Sequence, residues 1–130
     1  MNDHEEQFAR LFILPEKCDR YLTLFQSKRG RKKLRAGLCH SGDIDNRFAR
    51  QVPAADQNAE SVERILKSKG ASDNCYLFSA ESAFDEREMK LLDALQEVVG
   101  SGSGTFVSCI PGKLGYFEFE DTKERCVLER

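Results

Sequence analysis

The spacing of apolar side chains changes near residue 73, and no other feature constrains the fold as strongly. Up to Gly70 the apolar residues recur at three and four, as one face of a helix requires. Phe8, Leu11 and Phe12 form a first set, Cys18, Tyr21, Leu22 and Phe25 a second, and Val62, Ile65 and Leu66 another. After Asp73-Asn74 the pattern changes: CYLF (75–78) is a short run apolar on both faces, and TFVSCI (105–110) and LGYFEFE (114–120) read as two more strands, with Arg125–Leu128 as a further candidate. Such runs mark buried strands. This spacing predicts an α+β chain, with three to four helices in 1–72 packed on a small, mainly antiparallel sheet in 73–130, in β-α-β-β(-β) order. At 130 residues the expectation is one domain, able to bury a core without a metal or disulfide.

Punctuation residues divide the helical part. Pro15 separates the first two sets, since it disfavours helix in the residue before it and suits a first helical position. Leu34 lies nine residues beyond Phe25, which at about 100° per residue is the far side of a continuous helix. A break within 26–31 follows, with a new helix from about 28 to 40 behind Ser27 as its N-cap. Residues 41–56 carry turn formers, with Asp45 placed to cap a short helix, and Gly70 ends the helix through Val62 and Leu66. In the second part, Asp85 and Glu88 match a capping box, with Phe84 and Met89 in staple positions, so the spacing predicts a helix over 85–99. GSGSG (100–104) reads as a loop and Pro111-Gly112 as a type II turn between two strands.

Charge is distributed unevenly. Residues 1–50 hold 11 Lys and Arg against 7 Asp and Glu, a balance of +4, whereas 51–130 hold 9 against 15, a balance of −6. Six cations crowd into SKRGRKKLR (27–35): Lys28, Arg29, Arg31, Lys32, Lys33 and Arg35. On a helix Lys28/Lys32, Arg29/Lys33 and Arg31/Arg35 are like-charged pairs four apart, each unfavourable by roughly 0.2–0.5 kcal/mol. Cations in a first turn also oppose the helix dipole. Something anionic should therefore meet them. One candidate is nucleic-acid phosphate, with Ser27 and the first-turn N–H groups as an added anion seat. Another is the chain's own acidic half, through Asp85, Glu86 and Glu88 or through Glu118, Glu120 and Asp121, and a third reading is a solvated face with counterions.

Other motifs carry less. GSGSGT has the glycine density of a phosphate cradle, but a strand follows where such loops need a helix. The strand KLGYFEFE (113–120) lacks the Lys/Arg-Gly-aromatic pattern of a base-stacking sheet. Cys39 and His40, near Asp43 and Asp45, are the only cluster with the residue types for zinc or for a thiolate–imidazole pair. No Cys-x-x-Cys spacing supports it, and the aspartates serve turns as readily. Only His4 and His40 are near-neutral bases, which argues against an enzyme. The five cysteines (Cys18, Cys39, Cys75, Cys109, Cys126) are odd in number and far apart, as in a protein of a reducing compartment. The acidic N-terminus and the short apolar run after it fit neither a signal peptide nor a membrane span, so a cytoplasmic location is expected. No cofactor is implied. Three readings follow: a non-enzymatic binding module contacting an anion or nucleic acid through 27–35; a protein-interaction or homo-oligomerising subunit whose basic and acidic faces meet; and a small-molecule enzyme using Cys39 and His40.

Overall fold

The computed structural model describes residues 1–38, 42–119 and 124–130, and for 35–38 the backbone alone. Among these residues lie five α-helices and a six-stranded antiparallel sheet. Helix α1 spans Asp3–Leu11, α2 Cys18–Phe25, α3 Lys28–Leu38, α4 Ala59–Ser68 and α5 Leu91–Val98. The strands are β1 Ala49–Gln51, β2 Asn74–Ser79, β3 Arg87–Lys90, β4 Thr105–Ile110, β5 Leu114–Glu118 and β6 Arg125–Glu129. Their order across the sheet is β1-β6-β5-β4-β2-β3. Among the described residues no helix is long and apolar enough to cross a membrane.

Alternation along the strands splits the core into two layers. Tyr76 and Phe78 of β2, Phe106 of β4, Phe117 of β5 and Leu128 of β6 face one way, against Phe8, Tyr21, Phe25 and Leu34 of α1–α3 and Phe12 just after α1. Leu77, Val107, Tyr116 and Val127 face the other way, against Val62 and Leu66 of α4 and Leu91, Leu95 and Val98 of α5. A sheet buried on both faces explains why its central strands read as continuous apolar runs. Phe106 sits at the centre of the first layer, with ring centroids 4.8 Å from Phe8 and 5.3 Å from Phe78.

The break between Phe25 and Leu34 falls where the phase argument puts it: α2 ends at Phe25 and α3 begins at Lys28. Two expectations fail. Residues 1–72 are not purely helical, because Ala49–Gln51 forms edge strand β1, paired with Cys126–Leu128. Three residues carry no legible period, and their ladder comes from the far end of the chain. The helix over 85–99 is also shorter than expected. Asp85 does not cap it, and Arg87–Lys90 is strand β3, with Leu77 opposite Arg87 and Cys75 opposite Met89. The order is therefore β-β-α-β-β-β after residue 73. The Asp85 carboxylate accepts from the N–H of Ser79 instead (2.9 Å), which closes the β2–β3 loop. Helix α5 starts at Leu91, whose N–H donates to the Asp73 carbonyl (2.7 Å), with no side-chain cap on Lys90.

Candidate anion-binding face on helix α3

Helix α3 follows α2 after a two-residue gap, and a serine and a glycine make that junction possible. The Ser27 hydroxyl accepts from the N–H of Gly30 (2.9 Å), and its carbonyl accepts from the N–H of Arg31 (2.8 Å), so Ser27 is the N-cap. The Ser27 side-chain oxygen thus serves the helix's own first turn. Gly30 is buried; a Cβ there would overlap the Leu24 carbonyl oxygen and lie 2.9 Å from Leu24 Cα. Glycine, a poor helix former, is what lets the two backbones approach.

The cations of α3 divide into two groups. Arg31 turns inward: its side chain is 12% exposed and its Nη2 lies 2.8 Å from Glu5 Oε2, on a glutamate only 2% exposed. The same Nη2 is 3.5 Å from Asp85 Oδ1, and Nε is 3.6 Å from Glu86 Oε2. Tyr76 Oη also donates to Glu5 Oε2 (2.8 Å), and the guanidinium carbon lies 5.5 Å from the centroid of the Phe25 ring. Burial alone would weaken the charge on Arg31, but the hydrogen bond to Glu5 and the fields of Glu5, Asp85 and Glu86 outweigh it, raising the pKa above its ordinary value. Burial and the bond to Glu5 raise the Tyr76 hydroxyl likewise. This network ties α1, α3, β2 and the β2–β3 loop together.

Lys28, Arg29, Lys32 and Lys33 are exposed. At about 100° per residue they span an arc of about 140°, roughly opposite buried Leu34. No ion pair to any of the four is formed among the described residues. Arg35 lies on α3 with its side chain outside the described set, and Cys39, His40, Glu120 and Asp121 lie outside the described residues.

The remaining candidates are occupied from within. Glu118 is fully buried and accepts from the N–H groups of Gly100 (2.9 Å) and Gly102 (2.5 Å), from Tyr116 Oη (2.8 Å) and from Arg125 Nε (3.2 Å). Gly100, Gly102 and Gly104 all have positive φ. The glycine-rich loop therefore does cradle an anion, but the anion is the protein's own carboxylate. Asp45 caps the short turn Asn46–Phe48 through the N–H of Arg47, and Tyr21 Oη donates to Asp43 (2.9 Å). His4 Nδ1 lies 2.7 Å from Ser108 Oγ, with its ring stacked on Tyr76. Among the described residues no group of three His, Cys, Asp or Glu is placed to hold a metal. Cys18, Cys75, Cys109 and Cys126 form no disulfide, and burial pushes the Cys75 and Cys109 thiols up to about 12.

Sequence reasoning missed Glu5 and Tyr76 as partners of Arg31. The available signal was spacing: Arg31 stands three residues before Leu34, on the apolar side of the helix. No family model, curated protein or solved structure matches the chain.

Proposed function

We propose that the protein is a non-enzymatic binding module that holds nucleic-acid phosphates along the outer face of α3. The observation that carries this reading is the division of the cations. One, Arg31, is consumed by internal carboxylates, while Lys28, Arg29, Lys32 and Lys33 face outward. The like-charged pairs Lys28/Lys32 and Arg29/Lys33 remain unfavourable in the free protein, and a phosphate chain relieves them. The inward pairing of Arg31 adds to this, because it fixes the helix that presents the others, so that the backbone of that face is ordered before binding.

Fluorescence anisotropy with short labelled single strands tests it. Lys32→Glu with Lys33→Glu should weaken binding whatever the base sequence. It should also flatten the log–log salt dependence by roughly 1.4, at about 0.7 per lost phosphate contact. Thermal stability should hold or rise slightly. If wild-type protein binds no strand at low ionic strength, or the variant binds as tightly with an unchanged slope, the nucleic-acid reading of α3 falls, and the basic stretch is a structural or partner-docking surface.

A further inference from the structure

Beside the outward cations lies a cavity of about 470 Å³, lined by Asn2, Gln26, Ser27, Lys28, Arg31 and Glu86 among others. Three features set it apart. The Nε–H of Arg31 is buried without a hydrogen-bond acceptor, since Glu86 Oε2, 3.6 Å away, lies just beyond hydrogen-bond distance. Buried donors left unpaired in this way are uncommon and costly. Glu86 is 60% exposed, so its carboxylate is free to swing outward and accept further bonds. It is also the one non-glycine residue with positive φ (57°) among the described residues, a backbone conformation that glutamate rarely adopts. A strained loop thus holds a carboxylate next to an unsatisfied guanidinium N–H, one residue away from Asp85, which is itself held by Ser79.

That pairing asks for a ligand edge with an acceptor beside two donors. Glu5 and Glu86 face the cavity, so a phosphate is a poor occupant. A neutral base is a good one, with its phosphate left outside on Lys28 and its neighbours. Among nucleobases guanine has the matching edge: O6 accepts, while N1–H and N2–H₂ donate to a carboxylate. We infer that this cavity reads an unpaired guanine, with O6 between Arg31 Nε and Lys28 Nζ and the N1/N2 edge on Glu86. Outward rotation of Glu86 opens the gap for O6. This rests on the nucleic-acid reading of α3 and adds base selectivity to it, since single-stranded recognition reads such exposed edges.

The test uses oligouridine hexamers carrying one central guanosine, inosine or adenosine, with anisotropy as the readout. Wild-type protein should bind the guanosine strand about tenfold more tightly than the adenosine strand, as a good bidentate contact confers. Inosine, lacking N2–H₂, should fall between. Glu86→Gln should abolish the preference and leave the adenosine affinity close to wild type. Glu86→Gly removes the same carboxylate while relieving the positive φ, so loss of preference in both variants excludes misfolding as the cause. Equal binding of the three strands, still weakened by Lys32→Glu with Lys33→Glu, overturns base reading and keeps the phosphate reading. A uniform gain in affinity on Glu86→Gln shows only a removed repulsion and overturns it too. If no strand binds but polyglutamate does, both readings fall.

Discussion

Arg31 is met by three carboxylates, of which Glu5 is the closest and the most deeply buried. Removing one partner of a buried pair leaves the other charge without compensation, at a cost of about 3–5 kcal/mol. Arg31→Ala should therefore lower stability by about that amount in urea denaturation, and Glu5→Gln in the same background should recover part of it. A loss under about 1 kcal/mol would mean that Glu5 finds another partner or water. This inward turn was only partly legible in the sequence. Six cations in nine positions look alike, and Arg31 is distinguished locally only by its three-residue spacing to Leu34. Its main partner lies in α1, and no pattern within 27–35 refers to Glu5. Glu118 was misjudged for the same reason: its glycine cradle is formed only when β5 comes to lie beside the loop after α5.

The α2–α3 junction shows what an element boundary can and cannot announce. The phase shift from Phe25 to Leu34 located the break, because helix periodicity is local. That Gly30 touches the Leu24 backbone is a packing fact and was not legible; Gly30 read only as a poor helix residue. Gly30→Ala would gain about 1 kcal/mol in helix propensity. Against this, its Cβ would meet backbone atoms of Leu24 that have no rotamer to yield. Overpacking of this kind costs about 1–3 kcal/mol, so the substitution should lower the denaturation midpoint on balance. A more stable Gly30→Ala protein would mean that α2 and α3 separate easily. Strand β3 was missed because Arg87–Lys90 is an edge strand with mostly exposed side chains, so it shows no buried alternation. Its Asp-x-x-Glu start mimics a helix cap that the Ser79 N–H had already claimed.

Across the whole molecule, the first turn of α1 is fastened to the sheet through His4 and Ser108, 104 residues apart. Burial lowers the His4 pKa from its ordinary 6.5, against the raising fields of Asp3, Glu88 and Glu5. The neutral ring is thus favoured in the folded state, and the unfolded chain binds the proton more readily. The stability contributed is complete above about pH 6.5 and declines as pH falls from there through the lower folded value. Urea midpoints measured between pH 7.5 and 5 should fall with acidity, and His4→Gln should flatten the curve over that interval. An equally steep curve in the variant would assign the dependence to other groups.

The pairing of β1 with β6 has a consequence for how the protein comes into being. Ala49 finds its ladder partner in Leu128, and Arg130 donates to the carbonyl of Leu11. The aromatic layer beneath α1–α3 takes Phe106 and Phe117 from the last quarter of the chain. A ribosome makes the three amphipathic helices before the surface they cover, so their phenylalanines stay uncovered until β4 and β5 follow. Contacts this distant along the chain also make folding slow relative to a helical bundle of equal size. The interval before β4 and β5 are made is thus the one in which this apolar surface is open to aggregation.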